Sequence, residues 1–129
     1  MENFILEGPK KPIYVPEVHL DATEGKGSIQ GESYMENPFE MYNKIIKWFE
    51  EYFESNDSFV LDIKLIYINS SSSRAILDLL KIIKNQVDAG KEVTVNWYFD
   101  EENDEEIKEE GEDFEAATGL TINMVDMQY

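Results

Sequence analysis

The residues best placed to do chemistry are Asn69-Ser70-Ser71-Ser72-Ser73-Arg74. They follow the apolar run Phe59 to Ile68 and precede a helical pattern, so they join the C-terminal end of a strand to the N-terminus of a helix. That edge is where sites gather in open α/β sheets. Asn and Ser satisfy the free N–H groups of a helix start, which accounts for one or two of these residues. Four consecutive serines exceed that need. A phosphoryl group on one of them gains from the helix dipole and the backbone donors, with Arg74 one turn on as a charge partner. A serine nucleophile requires a base, and the single histidine, His19, lies in a distant segment with no signal of proximity. No Gly-rich nucleophile elbow or phosphate loop is present.

A second cluster follows Phe99. Asp100 to Glu115 carries eleven acids and one lysine. If the strands ending at Ile68 and Phe99 run parallel, Asp100, Glu101, Glu102 and Asp104 share an edge with the serines. Such a cluster reads as a solvated helix face, as an anionic surface for a basic partner, or as a hard-cation site for Mg²⁺ or Ca²⁺. The cation reading makes the chain an acidic metal-binding protein or a metal-dependent enzyme, although no calcium-loop spacing is present. A third segment, Gly31-Glu32-Ser33-Tyr34-Met35-Glu36-Asn37-Pro38, reads as a helix entry. Tyr34 and Met35 either anchor a partner or staple the helix start into the core. His19, between Val18 and Leu20 in a strand whose other side carries Glu17 and Asp21, is expected at the surface.

The elements that position these residues are legible from period and punctuation. Short runs at Phe4-Ile5-Leu6, Val15 to Leu20 and Ser28-Ile29-Gln30, separated by Pro and Gly, predict an antiparallel meander or hairpin. Asn37 as N-cap and Pro38 at the first helical position open a helix over 38–54. Its core stripe includes Trp48, Phe49, Tyr52 and Phe53. The run 59–68 predicts a central strand that becomes apolar on both faces towards its end. Ile76, Leu79, Leu80, Ile83 and Val87 mark a helix over 71–89, closed by Ala89-Gly90. A strand at 92–99 completes a strand, helix, strand unit with parallel strands and a right-handed crossover. Ile107, Gly111 and Phe114 predict a thin acidic helix near 102–117, and Thr121 to Val125 a final strand.

Composition bounds the function. In 129 residues, 42% are apolar and 12% aromatic, which describes one folded domain over 1–129. Eleven basic against 28 acidic residues give a net charge of −17, which repels phosphate backbones and anionic lipid. Nucleic acid and membrane surfaces are poor partners for such a field. With no cysteine and one histidine, disulfide, thiolate and zinc-cluster chemistry fall away. The start shows no secretory pattern and no run approaches a spanning length, so the expected location is cytoplasmic.

Three stretches together carry a family signature. Gly31-Glu32-Ser33-Tyr34-Met35-Glu36-Asn37, then Leu65-Ile66-Tyr67-Ile68-Asn69-Ser70-Ser71-Ser72, then Val95-Asn96-Trp97-Tyr98-Phe99-Asp100, resemble the SiaC family of bacterial regulatory phosphoproteins, in order and at its usual spacing. Met35 stands where that family often has Pro. The resemblance implies an STAS-like α/β fold and a non-enzymatic partner switch; the elements above predict a mixed sheet with an N-terminal antiparallel portion, and no cofactor is expected. In the family, a Thr or Ser after the Asn of the strand-to-helix loop is phosphorylated by a dedicated kinase and cleared by a PP2C-type phosphatase. The unphosphorylated form activates a diguanylate cyclase, linking the switch to cyclic di-GMP and biofilm formation. By position the acceptor falls on Ser70, with Ser71 as second choice. Asn69, Ser71, Ser72, Ser73 and Arg74 form the surrounding loop, and Tyr34, Glu36, Asn37 and Asp100 are the expected partner-binding residues.

Overall fold

The computed structural model describes residues 1–102 and 104–127. Six strands form one sheet in sequential order: β1 (Phe4–Leu6), β2 (Glu17–Asp21), β3 (Lys26–Ser33), β4 (Ser58–Ile68), β5 (Glu92–Phe99) and β6 (Ile122–Asp126). The first two pairings are antiparallel and the remaining three parallel. Each parallel pair is bridged by a helix: α1 (Phe39–Ser55), α2 (Ser70–Asp88) and α3 (Glu105–Thr118). Right-handed crossovers that step in one direction across a sheet place every helix on the same face. Burial follows from this. Phe59, Leu61, Ile63 and Leu65 of β4 are buried towards the helices, while Ser58 and Val60 are exposed on the open face and Asp62 and Lys64 lie half-buried.

The expected parallel pairing of 59–68 with 92–99 is present, with Phe59 opposite Val93 and Ile63 opposite Trp97. The antiparallel N-terminal portion is also present, as is the serine-bearing crossover. Helix α1 buries Tyr42, Ile45, Trp48, Phe49, Tyr52 and Phe53, an i, i+3, i+4, i+7 stripe. Its aromatic rings interlock with Phe59 of β4, edge to face with Phe49 at 4.9 Å. Helix α2 buries Ala75, Ile76, Leu79, Leu80 and Ile83, and α3 presents only Ile107, Gly111 and Phe114. At Gly111 a Cβ would lie 2.6 Å from Trp97 Cδ1, so glycine is what lets α3 lie flat on that indole. Trp97 Nε1 donates to the Ile107 carbonyl at 2.8 Å, satisfying its buried N–H.

Three expectations are corrected. Residues 31–33 are not a helix entry: they end β3 and pair with β4. Asn37 does not cap α1. Pro38 already has helical dihedrals (φ −76°, ψ −15°), its carbonyl accepts the first helical bond from Tyr42 N at 3.0 Å, and no side chain caps the end. The end of β4 is not buried on both faces. The register with β3 shifts between Gly31, opposite Leu65, and Glu32, opposite Tyr67, so Ile66 is an extra residue on β4. Bulges of this kind re-aim side chains at sheet rims. Here the backbone accommodates it with Gly31 at φ +106°, a value glycine reaches without steric cost, and Ile66 and Tyr67 both emerge exposed.

Candidate functional site

The C-terminal edge of the parallel strands is organised around Asn69. Its extended backbone (φ −86°, ψ 172°) lets its side-chain Oδ1 accept from Ser72 N at 2.9 Å, an N-cap. Its Nδ2 donates to the Met35 carbonyl at 3.1 Å and its backbone N to the Ser33 carbonyl at 3.0 Å. One residue thus ties the start of α2 to the segment that leaves β3.

The four serines have separate fates. Ser72 is fully buried: Ser33 Oγ donates to its Oγ at 2.8 Å, and Ser33 Oγ also shares a 2.9 Å hydrogen bond with the Tyr42 hydroxyl. Burial pushes the Tyr42 hydroxyl well above the ordinary phenol range, against a smaller opposing effect of the Ser33 bond. Ser73, half-buried, donates to Glu110 Oε1 at 2.7 Å and so joins α2 to α3. Two of the serines that looked surplus to capping are therefore structural, which sequence alone did not separate. Ser71 is half-buried. Ser70 is exposed, and it is the first residue of α2 rather than part of a preceding loop. Backbone N–H groups in a first helical turn have no partner within the helix. Arg74, one turn on, is exposed and makes no ion pair with a described residue.

Beside this helix start lies an aromatic patch. Tyr34, 37% exposed, sits edge to face with Tyr67 (centroids 5.4 Å, 87°) and tilted against Tyr14 (5.7 Å, 56°). The Tyr34 backbone N donates to the Tyr14 carbonyl at 3.2 Å, fixing the 12–15 turn against this rim. Met35 is buried in the core, as a staple is, whereas Tyr34 is exposed. Glu36 and Asn37 are exposed. With Tyr14, Val15, Tyr34 and Met35 they line an open cavity of about 570 Å³. Tyr14 and Tyr67 escaped the sequence reading. Tyr67 lay inside an apolar run read as buried, and only its phenol, an amphipathic group, hinted at an edge.

Asp100 directly follows β5 on the same edge. Its Oδ1 accepts from Glu102 N at 3.1 Å and its carbonyl from Asp104 N at 2.7 Å, which turns the chain into α3. Glu101 and Glu102 are exposed and Asp104 is half-buried. Asp104 and Glu110 line a small cleft with Tyr67, Ile68 and Ile107, so the acidic helix borders the end of β4. Among the described residues no three Asp, Glu or His side chains converge as metal ligands. Asn103, inside the acidic run, lies outside the described residues. His19 reaches the surface as expected, with its Nε2 2.7 Å from Glu7 Oε2. Among the described residues no helix is long and apolar enough to cross a membrane.

Comparison with known proteins agrees with this arrangement. An uncharacterized protein of Pseudomonas aeruginosa (strain UCBPP-PA14) is 33% identical over 100 residues, covering 77% of this chain and 79% of its own. The crystal structure of apo-SiaC from Pseudomonas aeruginosa superposes with a TM-score of 0.85 at 27% identity, covering 97% of this chain and 99% of that one. SiaC in the crystal structure of the diguanylate cyclase SiaD in complex with its activator SiaC gives 0.81 at 28% identity, covering 89% and 94%. Residues 9–127 match the family described as SiaC family regulatory phosphoprotein. The sheet order, the three helices on one face and the Asn-capped serine helix start thus sit in a chain that belongs to the SiaC family of regulatory phosphoproteins.

Proposed function

We propose that this chain is a non-enzymatic switch, acting as one regulatory domain, in which unphosphorylated protein binds and activates a diguanylate cyclase and phosphorylation of Ser70 releases it. The observation that carries the reading is the sorting of the serines: Ser72 is buried in the core, Ser73 is bonded to Glu110, and Ser70 alone of the four is exposed. Ser71 is the second choice. A phosphate on Ser70 adds about −1.5 to −2 charges at neutral pH, stabilised by the helix terminus by about 0.3–1 kcal/mol, so the fold tolerates it. A partner surface fitted to the bare hydroxyl must accommodate extra volume and desolvate the new charge, which costs far more than the helix returns. The solved complex of SiaD with its activator SiaC supports a cyclase as the class of partner. A dedicated kinase and a PP2C-type phosphatase complete the cycle by family resemblance, and the cytoplasm supplies the ATP it requires. Tyr34, Glu36 and Asn37 lie on the rim that a partner covering Ser70 meets first, with Asp100 at the end of the neighbouring strand.

The test is phosphopeptide mapping after incubation with the cognate kinase, together with binding of the cognate cyclase. Ser70→Ala is expected to bind constitutively and Ser70→Asp to bind poorly while both remain folded. Phosphate on Ser71 moves the acceptor by one residue. A Ser70→Ala protein still phosphorylated and still released rejects the assignment.

A further inference from the structure

From the geometry of the Tyr14, Tyr34 and Tyr67 patch we infer that it is an arginine-reading site: it takes a guanidinium flanked by apolar side chains on the surface of a protein partner. Two rings in edge-to-face contact bound a right-angled corner with one π-face of each. Tyr34 and Tyr67, at 87° and 5.4 Å, form such a corner, and Tyr14 packs on Tyr34 at 5.7 Å. A planar cation seated in the corner meets two electron-rich faces at once, the geometry that aromatic cages use. The rim supplies the counter-charge. Glu36 lines the cavity shared with Tyr14 and Tyr34, Asp104 and Glu106 line the cleft that holds Tyr67, and Glu32 lines the adjoining groove with Ile13 and Ile66. Among the described residues neither Glu32 nor Glu36 has a hydrogen bond or ion pair.

The nearby cations are already engaged. Lys11 Nζ donates to the Val15 and Pro12 carbonyls, and Lys64 Nζ lies 4.7 Å from the centre of the Tyr98 ring. Ile13 and Ile66, each next in sequence to a patch tyrosine, expose apolar surface in the adjoining groove, which sets the flanking residues as apolar. A second copy of this chain is a poor occupant, since a symmetric contact would join two surfaces that both carry Glu32 and Glu36 in a protein of net charge −17.

The inference rests on the partner-binding reading only in taking a protein as occupant, and its test needs neither phosphorylation nor a cyclase. A random dodecapeptide library is selected on the immobilised full-length chain, and the enriched peptides are then measured against Tyr34→Ala/Tyr67→Ala and Glu36→Gln proteins. Both tyrosines are at least a third exposed, so the double variant is expected to keep its circular dichroism spectrum and Tm within a few degrees. Enrichment of arginine next to Leu, Ile or Phe is expected, with about tenfold or greater weakening on the double variant. Lysine in place of that arginine is expected to weaken binding several-fold, because it lacks the planar fork. Basic peptides that bind the double variant equally well belong to the general acidic field and overturn the site. So does selection of peptides without arginine, or a concentration-dependent dimer in sedimentation that the double variant abolishes. If the peptides behave as expected while the cyclase does not bind, the switch fails and the arginine site stands.

Discussion

At the scale of single residues, what distinguishes Ser70 from Ser72 is solvent and partners, not chemistry. The hydroxyls of Ser72, Ser33 and Tyr42 form a buried chain with links of 2.8 and 2.9 Å. Ser72→Ala leaves that chain one partner short and is expected to cost about 1–3 kcal/mol in urea unfolding. Ser72→Asp forces a carboxylate into the core and is expected to abolish folding, whereas Ser70→Asp leaves the unfolding free energy within about 0.5 kcal/mol of wild type. The same chain gives a pH prediction. Tyr42 is held protonated above its unfolded value by burial, and Tyr52 is raised by the same cause. A group whose folded pKa is raised contributes stability that is complete below its unfolded pKa and is lost as pH rises towards the folded value. Tm is therefore expected to fall as pH climbs beyond about 10, the ordinary phenol value. Tyr42→Phe is expected to flatten that fall in part, Tyr52 supplying the rest, while costing about 0.5–1.5 kcal/mol at neutral pH.

At the scale of elements, two contacts carry more than their sequence suggests. Asn69 caps α2 and holds the Met35 carbonyl, so Asn69→Ala removes a helix cap and frees the segment bearing Tyr34. The expected loss is about 0.5–2 kcal/mol, with faster amide hydrogen exchange over 33–37 than over the body of α1. Uniform acceleration across the protein would show instead that Asn69 acts only through global stability. Gly111 is the second. Alanine in a helix gains up to about 1 kcal/mol over glycine by propensity. The close approach of the Trp97 indole outweighs it, since overpacking typically costs about 1–3 kcal/mol. Gly111→Ala is expected to lower Tm and perturb Trp97 fluorescence, and a raised Tm would show that α3 lifts from the sheet at no cost.

At the scale of the whole molecule, charge and topology dominate. With 28 acids against 11 bases, self-repulsion opposes the compact state, and screening relieves it over a Debye length of about 10 Å at 0.1 M salt. Tm is expected to rise between about 0.01 and 0.15 M sodium chloride, and a flat or falling profile would mean that local ion pairs such as Lys91 with Asp57 outweigh the net field. The sequential strand order gives the protein two unlike faces. One is covered by three helices. The other is open and carries a polar ladder, Asn123 to Asn96 at 3.1 Å and Asn96 to Asp62 at 2.9 Å, which keeps the middle of that face compatible with water. Ile66 and Tyr67 add exposed apolar and aromatic surface at the C-terminal rim of the sheet.

Period and punctuation were enough for the sequence to determine the parallel β4-α2-β5 unit, the helical core stripes and the serine-bearing helix start, because those signals are local and mutually consistent. The family signature was legible too, since each of its three stretches, 31–37, 65–72 and 95–100, is contiguous in the chain. Which serine is exposed was not local. It depends on Ser33 and Tyr42 arriving from β3 and α1 to bury Ser72, and on Glu110 arriving from α3 to hold Ser73. The bulge at Ile66 was equally hidden, for an apolar run has the same composition whether both faces are covered or one residue is looped out of register. The tyrosine patch required three segments far apart in sequence to meet at one rim. Composition fixed the sign of the protein's field, but only the tertiary structure decided where that field meets unpaired aromatic surface, because proximity between segments is a property of the packed sheet and not of the chain.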